Sequence, residues 1–167
     1  TLNRRGWLGK GLGLLGAGAL LSGCGFKLRG ADHFAFQTIS VTPQPGGALA
    51  TELRSAFARA LPAPQAGVTS SGVVLDLLEE QREKVVVGRG SAGQVREYQL
   101  RIKAVFRVRN TQGKDLIAAT EIAQFRDISF SESAVLAKEA EEAILYRDMQ
   151  RDIVRQILRR VAAIQSL

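Results

Sequence analysis

Apolar and polar side chains alternate along residues 95–109. Tyr98, Leu100, Ile102, Ala104, Phe106 and Val108 fall on one side, and Gln99, Arg101, Lys103, Val105, Arg107 and Arg109 on the other. A period of two predicts a strand with one buried face. Val73 to Leu78 alternates more loosely, with Val73, Leu75 and Leu77 opposite Asp76. A charged run from Glu79 to Lys84 follows, and Val85, Val86 and Val87 resume β-type residues. Leu116 to Ile128 reads as a further strand, its facing blurred at Ala118, Ala119 and Thr120. Glycine-rich Gly88 to Gly93 and Asn110 to Lys114 supply the turns. Two long strands thus meet at the Arg89 loop and a third returns through Gly113, an antiparallel meander with one apolar and one polar face.

The period changes to that of a helix at both ends of this meander. Leu49, Leu53, Phe57 and Leu61 recur every four residues, one face of a helix over Ala48 to Leu61 that Pro62 and Pro64 stop. From Ser131–Ser133, which offer N-caps, to Ile164 the chain reads as one long helix. Its stripe is Leu136, Ala140, Ala143, Tyr146, Met149, Ile153, Ile157, Val161 and Ile164, widened by Val154 and Leu158. Glu139, Glu141 and Glu142 near its start, and Arg155, Arg159 and Arg160 near its end, suit the helix dipole. Phe34 to Thr42 reads as a first strand with a slip near Gln37. The element order is therefore β-α-β-β-β-α, an α+β pattern.

The first residues follow a different logic. Arg4, Arg5 and Lys10 precede an apolar run from Leu12 to Leu21, and Leu21-Ser22-Gly23-Cys24 closes it. The run is too short and glycine-rich to cross a membrane as a helix, which takes about 20 apolar residues. Small side chains before the one cysteine fit a bacterial lipoprotein signal. On this reading residues 1–23 are removed, Cys24 becomes the acylated N-terminus, residues 24–33 form a tether, and residues 34–167 form one domain. Stable anchoring needs more than a single acyl chain. A buried structural thiol is the plain alternative for Cys24, but its place ahead of all patterned sequence argues against that. Gly11 to Gly16 matches G-x-G-x-x-G without the strand that a dinucleotide site requires before it, so no nucleotide cofactor is expected.

Removing the signal changes the charge. Of 23 Lys and Arg, the signal holds three and no acids, so the remaining 144 residues carry 20 cations against 16 acids, a net +4. That excess weakly favours an anionic partner. Its most concentrated expression is Arg101, Lys103, Arg107 and Arg109 on the polar side of one strand. Two readings stand: a solvated face balanced by acids such as Glu83 and Glu121 on neighbouring strands, or a face for an anionic ligand or partner. His33 is the one histidine, Cys24 is assigned to lipid, and there is no Ser-His-Asp set or metal-ligand cluster. An enzyme is therefore not expected, nor any cofactor or metal. An export signal likewise removes nucleic acid as a partner.

Leu21-Ser22-Gly23-Cys24-Gly25-Phe26-Lys27-Leu28-Arg29-Gly30 resembles the opening of the LptE lipopolysaccharide-assembly lipoproteins. Glu97-Tyr98-Gln99-Leu100 after a glycine hairpin and Leu136-Ala137-Lys138 before an acidic run extend the resemblance in the same order. Lys27 departs from the histidine often found there, and the loop around Arg89 carries extra glycine. The resemblance implies a four-stranded, largely antiparallel sheet with two helices packed on one face. It implies an outer-membrane lipoprotein that plugs the LptD β-barrel one-to-one and helps deliver lipopolysaccharide to the outer leaflet. It carries lipopolysaccharide contact over to Arg89 and Lys138; by charge alone, Arg101 and Lys103 on the basic strand face would assist. Gly25 in place of an aspartate agrees with outer-membrane sorting. The competing reading is a free, periplasm-facing lipoprotein that serves another envelope complex.

Overall fold

The computed structural model describes residues 34–61 and 72–165. The expected signal, Cys24, the tether to His33, and Pro62 and Pro64 lie outside them. The elements are β1 (Thr38–Thr42), α1 (Ala48–Ala60), β2 (Gly72–Arg89), β3 (Val95–Asn110), β4 (Asp115–Ser129) and α2 (Val135–Ala162), with a 3-10 turn, Glu132–Ala134, leading into α2. They form one four-stranded sheet in the order β1-β2-β3-β4. β1 and β2 run parallel, joined through α1, and the remaining neighbours are antiparallel. The β-α-β-β-β-α order and the α+β class are those the sequence patterns predict.

The period-two reading of β3 holds along its length. Leu100, Ala104, Phe106 and Val108 are fully buried, and Ile102 nearly so. From the same side of the sheet Leu49, Leu53 and Phe57 of α1 and Met149, Ile153, Ile157 and Val161 of α2 complete one core. Each such side chain contributes about 1.5–3 kcal/mol through burial. β1 is shorter than predicted, starting at Thr38, yet Phe36 is buried and Phe34 packs on it and on Phe57 with ring centroids 5.3 and 6.1 Å away.

Two irregularities change which residues face the core. In β2 the odd residues Val73, Leu75 and Leu77 point inward, but a bulge between Leu77 and Glu79 reverses the parity. Past it the even residues Glu80, Arg82 and Lys84 stand opposite the inward Ala104, Ile102 and Leu100. The charged run is thus the interior of a single continuous strand. In β4 the register slips between Thr120 and Ile117, leaving Ala118 and Ala119 as the irregular pair. This explains the blurred facing there, since a bulge inserts an extra residue and reverses the alternation.

The hairpin turns rest on backbone needs. Gly93 and Gly113 have φ of +83° and +87°, a region open to glycine and strained for other residues. Asn110, buried at the second turn, accepts the N–H groups of Gln112 and Lys114 at 3.0 and 2.9 Å through its side-chain oxygen.

Helix ends are served differently from the prediction. Ser131–Ser133 provide no side-chain cap; Ser131 and Ser133 bond to each other at 2.9 Å, and α2 starts after Ala134. One first-turn amide of α1 is met from the sheet: Glu80 Oε1 accepts the Leu49 N–H at 3.2 Å. A carboxylate at a helix N-terminus is electrostatically favourable. A Cβ at Gly47 would meet the Glu80 carboxylate, the flexible end of a side chain that would shift to admit it.

Candidate functional site

The outward face of the sheet carries the cations of β3, and neighbouring strands supply acids in register. Asp76, only 8% exposed, is the centre of one cluster. It accepts Thr42 Oγ1 at 2.8 Å, Arg109 Nε at 2.8 Å and Arg107 Nε at 3.1 Å, tying β1, β2 and β3 together. The Arg109 hydrogen bond outweighs burial and holds the Asp76 carboxyl below the usual carboxylate range. Asp76 in turn raises Arg109 above its already high ordinary value.

Farther along the same face Lys103 pairs with Glu79 at 2.8 Å, which raises its pKa. Arg101 donates to Gln99 at 2.7 Å, and Gln99 donates to Asp127 at 2.9 Å. Phe125, opposite Arg101 in register, is 61% exposed among these polar groups. Of the two readings of this face, charge balance by neighbouring acids describes Lys103, Arg107 and Arg109. Their hydrogen-bonded partners are Glu79 and Asp76, and the expected Glu121 and Glu83 act on Lys103 through charge alone.

Arg89 and Lys138 lie at the same end of the sheet, away from Arg101 and Lys103. Arg89 closes β2 and donates to the Gly93 carbonyl at 3.3 Å. Lys138, in the first turn of α2, donates to Ser129 Oγ at 3.0 Å and to Glu141 Oε2 at 2.9 Å. Ser129 pairs with Glu97, and Glu97 with Gly88 beside Arg89. Two strand spacings, about 10 Å, therefore separate Gly88, next to Arg89, from Ser129, which Lys138 reaches with its side chain. Arg101 and Lys103 point to the outward face, whereas Lys138 belongs to the helix layer.

A second cation pair, unassigned from sequence, faces the helices. The Arg82 guanidinium lies 3.8 Å from the centroid of the Tyr146 ring. Lys84 Nζ pairs with Glu142 at 2.6 Å and lies 4.5 Å from the centroid of the Tyr98 ring. The Glu142 hydrogen bond raises the Lys84 pKa. Tyr146 donates its hydroxyl to the Glu83 carbonyl at 2.6 Å, and burial raises its pKa. The charged run announced these residues, but only the bulge turned them inward. Among the described residues no three metal-ligating side chains come together, and no helix is long and apolar enough to cross a membrane.

This arrangement can bind anions and dock against polar surfaces. The profile of the family described as LptE: Lipopolysaccharide-assembly matches residues 36–161. The chain belongs to the LptE family. The solution NMR structure of an uncharacterized lipoprotein B from Nitrosomonas europaea is 32% identical with a TM-score of 0.68, covering 83% of this chain and 91% of that one. The crystal structure of the rare lipoprotein B from Shewanella oneidensis is 21% identical with a TM-score of 0.60, covering 75% of this chain and 94% of that one. A minor lipoprotein from Acinetobacter baumannii is 20% identical with a TM-score of 0.60, covering 78% and 93%. These last two show the shared fold. No curated protein sequence matches the chain. As an LptE member the protein is a lipopolysaccharide-assembly lipoprotein of the cell envelope, associated with the lipopolysaccharide-transport machinery, and not an enzyme.

Proposed function

We propose that this LptE protein is held in the outer membrane by lipid on Cys24, after removal of residues 1–23, and plugs the lumen of the LptD β-barrel. There it helps pass lipopolysaccharide to the outer leaflet. The observation that carries this reading is the family match over residues 36–161. The outward sheet face supports it: its arginines, lysine and carboxylates suit the polar lumen of a large barrel. Lipopolysaccharide presents phosphates and acidic sugars, which arginine grips through paired N–H groups and lysine as a point charge.

Among the four assigned cations, Lys103 and Lys138 already have carboxylate partners, Glu79 and Glu141. Arg89 bonds to a backbone carbonyl and Arg101 to an amide oxygen, so neither must give up an acid to meet a phosphate. Arg89 is accordingly assigned the leading lipid contact, with Lys138 at the same end and Arg101 and Lys103 on the face shared with the barrel wall.

The test is purification of the tagged, lipidated protein from detergent-solubilised outer membranes. A barrel protein recovered in equal amount after washing supports the plug. Recovery of the lipoprotein alone overturns it and leaves a free periplasm-facing accessory lipoprotein. Arg89→Glu and Lys138→Glu are then expected to weaken lipopolysaccharide binding, with Arg89→Glu the larger effect.

A further inference from the structure

The cations of the helix layer gather at one end of the domain. Thr38 of β1 pairs with Gly72, and the next residue, Val73, pairs with Asn110, so the start of β1 and the turn after β3 share an end of the sheet. α1 finishes there, where Leu61 lines one hollow with Thr38 and Ile39. α2 finishes beside it, with Leu158 near Ala60. From Gln150 to its end α2 carries Arg151, Arg155, Arg159 and Arg160 against the lone acid Asp152. Its earlier residues carry Glu139, Glu141, Glu142 and Asp148 against Lys138 and Arg147, the opposite balance. Arg59 lies in the last turn of α1, and Lys114 stands in the turn between β3 and β4.

Arg59, Arg155, Arg159, Arg160 and Lys114 are all exposed. Arg155 shares Asp152 with Arg126, and among the described residues no carboxylate pairs with Arg59, Arg159 or Arg160. Cations near a helix C-terminus suit its dipole, which accounts for the arginines one by one. Lys114 ends no helix and falls outside that account. The chain also enters the domain at this end. Phe34, the first described residue, packs on Phe57 of α1 with ring centroids 6.1 Å apart, two residues from Arg59. Cys24 precedes Phe34 by ten residues, at most about 35 Å of extended chain. An acylated Cys24 thus holds the arginine-rich end within that distance of a bilayer. The Arg89 end lies the length of β3 away, about 50 Å over its 16 residues, and is not so held. A guanidinium grips phosphate oxygens through paired N–H groups, and each cation at an anionic membrane surface strengthens binding about fivefold.

We propose that Arg59, Arg155, Arg159 and Arg160, with Lys114, rest on the phosphates of anionic phospholipid headgroups in the membrane that holds Cys24. The domain then stands on the end where its tether enters and turns the Arg89 end away from that surface. The inference rests on the reading that Cys24 carries lipid and goes beyond it. The acyl chains supply attachment, and the arginines supply orientation. The outward sheet face is left to the barrel wall.

The test uses the lipidated protein in vesicles of phosphatidylcholine, alone or mixed with phosphatidylglycerol. With Cys24 acylated, Ala58→Cys beside Arg59, or Ala92→Cys in the turn after Arg89, gives one exposed thiol for a fluorescent donor. Acceptors on the headgroups report how near each label lies to the bilayer. Phosphatidylglycerol is expected to raise transfer from the Ala58→Cys label above that from Ala92→Cys. Replacing Arg159→Gln and Arg160→Gln together is expected to lower the ratio of docked to undocked protein about fivefold for each charge removed. If the unfolding midpoint of that variant falls, Lys114→Gln decides, with an expected loss of about fivefold. A chain that washes off phosphatidylcholine vesicles lacks the anchor, and the reading of Cys24 fails together with the inference. A chain that stays, with transfer indifferent to phosphatidylglycerol and to these substitutions, overturns headgroup docking alone. So does transfer that responds to lipopolysaccharide and not to phosphatidylglycerol. Loss of the barrel partner with transfer unchanged also overturns it, making this end a protein-docking surface.

Discussion

The two halves of α2 draw on the same residue types and meet different surroundings. In the second half Ile153, Ile157 and Val161 are fully buried against the sheet, and Val154 is buried beside α1. In the first half Leu136 and Ile144 are 82% and 50% exposed, and Tyr146 marks the boundary. An apolar stripe states what a helix can bury. Whether it does so depends on the length of its neighbour, and α1 spans only 13 residues. The covered half stabilises the fold; the first half leaves Leu136 and Ile144 exposed.

The sharpest way to test that division is to truncate one residue in each half. Ile157→Ala is expected to cost about 2–5 kcal/mol in urea unfolding, through lost transfer energy and a residual cavity. A loss below 1 kcal/mol would mean that the second half is not the structural one.

Next in size is the Asp76 cluster, which holds β1 to the sheet from its outward face. Asp76→Asn is expected to cost about 1.5–3 kcal/mol, the range for hydrogen bonds to a charged group. The contribution has a defined pH sense. The folded carboxyl titrates below the unfolded value of about 3.9, so its stabilisation is complete well above that value and disappears as pH falls through the folded one. Urea midpoints of the parent and Asp76→Asn should converge toward pH 2 and separate by pH 6. Parallel curves would exclude this carboxylate as the cause.

A smaller effect is expected at the boundary. Tyr146→Phe removes the bond to the Glu83 carbonyl but keeps the ring beneath Arg82, costing about 0.5–1.5 kcal/mol. Hydrogen exchange should quicken along residues 82–87 more than along β3; uniform protection would place the boundary elsewhere. Smallest of all, Leu136→Ser should leave stability within about 0.5 kcal/mol, as an exposed substitution does. A larger loss in the isolated protein would show that the first half also supports the fold.

Much of this architecture was legible beforehand. The inward residues of β3, the α1 stripe, both hairpins and the α2 stripe from Tyr146 onward stand as their periodicities predict. The candidate site was legible in its parts and not in its grouping. Arg89 and Lys138 were named through family resemblance, but their place at the same end of the sheet depends on the pairing of Glu97 with both Gly88 and Ser129. Asp76 was expected to face away from the core, and it does, yet it is buried because Arg107 and Arg109 close over it from β3. Arg82 and Lys84 were read only as members of a charged run.

The sequence by itself determined the order and kind of the elements, the apolar side of each, and the turns that need glycine. Those properties are written within a few residues, as a period of two, a period near 3.6, or a required positive φ. The tertiary structure alone decided the parity reversal in β2, the capture of Asp76 by arginines 31 and 33 residues away, and the exposure of Leu136. A local pattern fixes the direction of a side chain relative to its own element. Its surroundings are fixed by strand register and by how far a neighbouring helix extends, and both depend on residues distant in the chain.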